Sequence, residues 1–149
     1  MISWLPNPGK SFINLNLAWK NTEKDLAVIT STVIFNDAVP LIAEPSPDYS
    51  VGVDIFTIGY PAYDARRNNA PTIIKAKITG QYTREGQSRI VIDEAIVHGH
   101  SGGVVLNTDG RVIGIVANGN AEGAIRNTPS AFIPISTLLE EHENRTRTE

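Results

Sequence analysis

The chain has 149 residues, of which 41% are hydrophobic and 19% charged; its net charge is −3 and it contains no cysteine. That composition fits one globular domain or little more, gives no electrostatic case for nucleic acid or an acidic membrane, and removes disulfide and thiol chemistry. No apolar run approaches the ~20 residues that span a bilayer, and Met1–Gly9 lacks the basic start and long apolar stretch of a signal peptide, which leaves a cytoplasmic location as the default.

In chain order, residues 1–11 hold two prolines and a glycine and read as an irregular lead-in. Phe12–Trp19 alternates at Ile13, Leu15 and Leu17, the pattern of a half-buried strand. Asn21–Lys24 is a polar turn, and the β-branched run Asp25–Phe35 predicts a second strand. Pro40–Asp48 carries three prolines and fits an extended linker. Short strands then follow at Val53–Ile58, Thr72–Thr79, Arg89–Ile92, Gly103–Leu106, Arg111–Val116 and Ala131–Ile135, with a polar loop at Tyr63–Ala70. Six short strands separated by turns predict a barrel or sandwich. Ser136 is placed to cap a final helix over Thr137–Glu143, with Asn144–Glu149 frayed.

The chemistry concentrates at Gly99-His100-Ser101-Gly102-Gly103. A serine between glycines sits on backbone free to turn tightly, so that neighbouring N–H groups can converge on one point, as an oxyanion hole requires. Val104-Val105-Leu106, the turn Asn107-Thr108-Asp109-Gly110 and Arg111–Val116 follow, which predicts a β-hairpin. The same glycines fit the nucleophile elbow of α/β-hydrolases, with Asp109 and His142 following in the order of that class. The elbow needs a helix directly after the serine, whereas this serine opens a strand.

The segment Ile92–Asn107 resembles the nucleophile segment of trypsin-like serine proteases, and above all the cysteine-free HtrA-like type. Asp109–Ile115 is similar to that family's following hairpin, Ala131–Ile135 to its last strand, and Val51–Pro61 to the strand that opens its second barrel. Lys24–Ile29 resembles the segment that carries its triad aspartate, so the likeness extends from about Phe12 to Leu139. It implies an all-β, trypsin-like double β-barrel: residues 1–39 as a remnant of the first barrel, 40–48 as linker, and 49–149 as a complete second barrel with a short C-terminal helix.

By this resemblance Ser101 is the nucleophile, Asp25 the residue that orients the base, and the N–H groups of Gly99 and Ser101 the oxyanion donors. Ala95 falls at the floor of the primary specificity pocket, where a small apolar residue favours small or medium apolar side chains; Ile115, Val116 and Ala117 fall on the strand along which a substrate backbone pairs. The family's general base is a histidine well before the aspartate, and the three histidines here are His98, His100 and His142. A side chain adjacent to the nucleophile in a tight turn points away from the hydroxyl, so neither His98 nor His100 is expected to act as base. The His98-x-His100 pair lacks a third ligand, so neither metal nor cofactor is expected. The chain is thus expected to lack the N-terminal part carrying the catalytic histidine. The function this implies is a serine endopeptidase acting on polypeptide and impaired by that loss; the alternative is a non-catalytic module that binds peptide or protein. Either a homodimer or a further N-terminal segment is expected to cover the truncated first barrel, whose lone hairpin is marginal in water.

Overall fold

A computed structural model describes residues 15–34, 36, 38–60, 70–96, 99–118 and 129–147. Its elements in chain order are β1 (Asn16–Asn21), β2 (Leu26–Thr30), β3 (Asp54–Gly59), β4 (Thr72–Arg84), β5 (Gln87–Ile92), β6 (Val104–Leu106), β7 (Val112–Asn118), β8 (Ala131–Pro134) and α1 (Ile135–Thr146). β1 and β2 form a separate antiparallel pair, and β3–β8 close a barrel in the order β3-β4-β5-β8-β7-β6. Closure removes the unpaired edges that a six-stranded sheet would otherwise expose.

Alternation decides which side chains fill the barrel. Along β3, Ile55, Thr57 and Gly59 are buried while the residues between them are only partly so. They meet Ala76 and Ile78 from β4, Ile90 and Ile92 from β5, Val105, Ile113, Val116 and Phe132, all nearly or wholly excluded from water. Burying one such Ile or Phe stabilises the fold by about 1.5–3 kcal/mol before entropy is counted. All four residues of β8 are buried, because α1 covers the side that faces away from the core. A smaller cluster of Val104, Val112 and Ile135, with Leu138 packed on it, seats that helix.

Turn chemistry sets the registers. Glu85 and Gly86 both take positive φ (51° and 76°), as the two central residues of a tight hairpin must to match strand twist. β4 and β5 are therefore paired up to Arg84 opposite Gln87, and β4 runs to 13 residues where the sequence pattern predicts eight. The hairpin expected after Ser101 is present: β6 pairs with β7, Gly110 has φ 75°, and the Asn107 carboxamide oxygen accepts the N–H groups of Asp109 (3.0 Å) and Arg111 (2.9 Å). With a strand directly after the serine, the elbow reading is excluded.

Two expectations need correction, the extent of β2 and the bounds of α1. β2 is only Leu26–Thr30, since Ser31 turns the chain by accepting the Val33 N–H (3.0 Å). The helix starts two residues early: Pro134, with φ −55°, is the N-cap and Ser136 makes no capping bond. Its end is later too, because Asn144–Thr146 stay helical, Thr146 Oγ1 donating to the carbonyls of His142 and Glu143 (both 3.1 Å). The proline-rich segment is also anchored, since Ala43 bridges Val112, Glu44 N–H donates to Val112 O and Val112 N–H to Ile42 O (both 2.8 Å). The residues expected to start the first strand (12–14), the polar loop at 63–69, and His98 lie outside the described residues.

Candidate active site

Glycine shapes the serine turn in two ways. Gly99 and Gly102 take φ of 96° and 80°, a left-handed conformation that costs L side chains energy. Gly103 is required by contact instead, because a Cβ there would lie 2.3 Å from Ile58 O. The turn closes with Gly103 N–H donating to His100 O at 2.7 Å, and Tyr60 N–H donates to Gly99 O at 3.1 Å. Ser101 stands exposed at its tip. Among the described residues, no hydrogen bond engages the N–H of Gly99 or of Ser101.

His100 faces the opposite way. It is fully buried, its ring pressed on Gly59, and among the described residues neither ring nitrogen has a partner. An imidazole packed in this manner is part of the barrel's end, on the far side of the turn from the exposed serine.

Ser101 borders a cleft of about 580 Å³ between β2 and β7. Asp25 lines the same cleft, as do Ile115, Val116 and Ala117, with Leu26 and Leu138 contributing apolar surface. Asp25 sits in the left-handed region at φ 58°, which aspartate tolerates because its short polar side chain bonds locally. Ala95 is exposed in the segment after β5, and neither it nor Gly99 belongs to the cleft lining. No histidine does either, among the described residues. The Val116 backbone is engaged within the barrel, its N–H donating to Gly103 O (2.9 Å) and its carbonyl accepting the Gly102 N–H (2.7 Å).

The turn that carries Asp25 is tied to α1 by a polar cluster that the sequence pattern does not reveal. Glu141, largely buried, accepts from Lys24 Nζ (2.8 Å), Asn21 Nδ2 (3.0 Å) and Arg145 Nε (2.7 Å). These donors, Lys24 first, then Asn21 and Arg145, hold its carboxyl down at about 2. The Arg145 guanidinium lies over the Trp19 ring, 5.0 Å from its centre, and Trp19 Nε1 donates to His142 Nδ1 at 3.2 Å. His142 is exposed and yet holds the hairpin. A carboxylate on one side of a helix is a routine surface feature; only the fold discloses that Asn21 and Lys24 meet it.

A closed six-stranded antiparallel barrel followed by a C-terminal helix, with a glycine-flanked serine at a cleft facing a second sheet, defines the class of trypsin-like peptidase folds. Residues 5–115 match the family described as "Trypsin-like peptidase domain", and the chain belongs to that family. Among solved structures it is similar to Deg5, with a TM-score of 0.66 and 24% identity over 86% of this chain and 58% of that one. It is also similar to AlgW, an HtrA-type protease solved with a tripeptide, with a TM-score of 0.69 and 21% identity over 85% of this chain and 41% of that one. The chain therefore spans roughly half the length of these two proteins. No curated protein matches it.

Proposed function

We propose that this chain carries the Ser101 and Asp25 part of a serine endopeptidase site, and that the cleft between β2 and β7 receives an unfolded polypeptide. The observation that carries this reading is that Ser101 and Asp25, from turns that precede strands of separate sheets, border one cleft. A serine hydroxyl attacks a peptide carbonyl only when a base takes its proton from within about 3 Å. Asp25 would hold an imidazole in one tautomer and stabilise its charged form. The N–H groups of Gly99 and Ser101 would receive the oxyanion, a contribution of about 10²–10³ in rate per donor. The imidazole itself would come from outside the described cleft lining. Apolar Ile115, Val116, Ala117 and Leu26 favour an uncharged peptide, as does Ala95 in the role the family resemblance gives it.

The competing reading, a peptide-binding module without catalysis, is favoured by the absence of any imidazole lining the cleft among the described residues. Two assays on the full chain separate them: casein binding, and hydrolysis of an apolar peptide ester with and without added imidazole, each beside Ser101→Ala. The endopeptidase reading expects very low basal turnover that imidazole raises and Ser101→Ala abolishes. Casein binding equal in both forms, with no Ser101-dependent turnover under either condition, would establish the binding module instead.

A further inference from the structure

We propose that Glu141, on α1, is a positioning residue for the cleft: acting through Asn21, it fixes the turn that presents Asp25 to the cleft that Ser101 borders. This inference rests on the role assigned above to Asp25. The Asn21 carboxamide works at both ends. Its oxygen accepts the N–H groups of Glu23 (3.1 Å) and Lys24 (3.0 Å), which folds residues 21–24 into a local turn. Its nitrogen donates to Glu141 Oε1 at 3.0 Å, which fixes the plane of the amide. Glu141 Oε2 takes Lys24 Nζ at 2.8 Å, so one carboxylate grips the turn at its first residue and at the residue preceding Asp25. Arg145, one helical turn further along α1, bonds Oε1 at 2.7 Å and holds the carboxylate in place.

Such a constraint matters because little else ties the hairpin to the barrel. Most of its apolar residues remain open, Leu15 at 44%, Leu17 at 56% and Val33 at 48% exposure, and Leu26 alone among the described hairpin residues is a buried hydrophobe. Side-chain ties between it and α1 are supplied by the Glu141 cluster and by Trp19 against His142 and Arg145, beside the buried Leu26. Without the grip of Glu141, a left-handed Asp25 at the end of an exposed turn would sample several orientations. The carboxylate on α1 selects one.

The test compares the full chain with Glu141→Ala and Glu141→Gln. The first removes both acceptor oxygens; the second keeps the shape and one acceptor but not the charge. Three readouts are taken: amide exchange at Glu23 and Lys24 against exchange in β4, β5 and β7, the backbone chemical shifts of Asp25, and binding of fluorescently labelled β-casein. In Glu141→Ala the two turn amides are expected to exchange at least tenfold faster and the Asp25 shifts to move away from left-handed values. Barrel amides should stay within twofold, casein binding should weaken about fivefold, and Glu141→Gln should fall between. Unchanged turn amides and Asp25 shifts in Glu141→Ala would overturn the proposal. So would a uniform rise in exchange through the barrel, which marks general destabilisation. If the turn responds as expected while the unmodified chain itself fails to bind casein, the positioning stands and the functional reading of the cleft falls.

Discussion

Gly59→Ala is the substitution by which the fold most directly tests the serine turn. A methyl group at Gly59 would stand 2.7 Å from His100 Cα, 2.7 Å from its Cδ2 and 2.9 Å from its Cγ. Ordinary carbon–carbon contact begins near 3.5 Å, so His100 would have to retreat by about 0.8 Å. It has no slack for this, because His100 O takes the Gly103 N–H at 2.7 Å and the adjacent Gly99 O takes Tyr60 N–H at 3.1 Å. Overpacking of a fixed backbone costs about 1–3 kcal/mol, and the rigidity here argues for the upper end. For a chain of this size that lowers the thermal midpoint by about 6–12 °C. Gly80→Ala is the control, since a methyl there meets nothing within 4 Å, and alanine in a strand is if anything more favourable than glycine. Thermal unfolding by circular dichroism, monitored in both variants, reads the difference. Adding His100→Ala to Gly59→Ala removes two of the three close contacts and should recover part of the loss, with a coupling of about 1 kcal/mol. Equal small shifts for Gly59→Ala and Gly80→Ala would refute the claim that the ring and backbone of His100 are wedged against β3.

The remaining predictions concern charge and a half-buried phenol. Because the folded-state pKa of Glu141 is depressed to about 2, its stabilising contribution is complete above the unfolded carboxyl value of about 4.3 and is lost as pH falls from there through 2. Urea midpoints measured from pH 7 to pH 2 should show an acid-sensitive loss that Glu141→Gln flattens; identical profiles would mean that the three donors do not hold the carboxylate. Tyr49 donates its hydroxyl to Ile113 O at 2.8 Å, and burial pushes the phenol up to about 12. Its contribution is therefore complete below the unfolded value of about 10 and lost as pH rises towards 12. Tyr49→Phe should cost about 1 kcal/mol at neutral pH and remove that part of the alkaline loss, which spectrophotometric titration of the phenols beside urea unfolding would check.

Residues that act through their immediate neighbours were readable in the sequence. The β6–β7 hairpin follows from Asn107 and Gly110, and the barrel strands from short apolar, β-branched runs such as Val53–Ile58 and Arg111–Val116 separated by turns. What the sequence understated has local causes too. β4 outruns its apolar pattern because Glu85-Gly86 lets two polar strand ends pair down to the turn, and α1 begins at Ile135 because Pro134 already has the dihedrals of a cap. The serine turn was legible because its glycines answer to φ angles and close approaches a few residues away. The other side of the cleft was legible only as the single residue Asp25. Its support comes from Glu141, whose links to Asn21 and Lys24 span 120 and 117 positions. No periodicity encodes a pairing of that kind; it exists only once the barrel has carried α1 past the hairpin.

The two walls of the cleft are therefore held by different physics, and this has a measurable consequence. Packing of His100 on Gly59 holds the Ser101 wall, while a carboxylate with three donors holds the Asp25 wall. The two sets share no residue. Perturbations without common partners add, whereas those within one network do not. Gly59→Ala combined with Glu141→Ala should thus shift the urea midpoint by the sum of the single shifts. Salt should distinguish them as well, since screening reaches the Lys24 and Arg145 ends of the Glu141 cluster, which are partly open to solvent, and leaves a steric clash untouched. The Glu141→Ala shift should shrink between 0.05 and 1 M sodium chloride (roughly a threefold or greater shortening of the screening length) while the Gly59→Ala shift stays constant. A double variant whose shift departs clearly from the sum would show that the walls communicate through the cleft floor at Leu26 and Leu138, and the picture of two independently held walls would have to be abandoned.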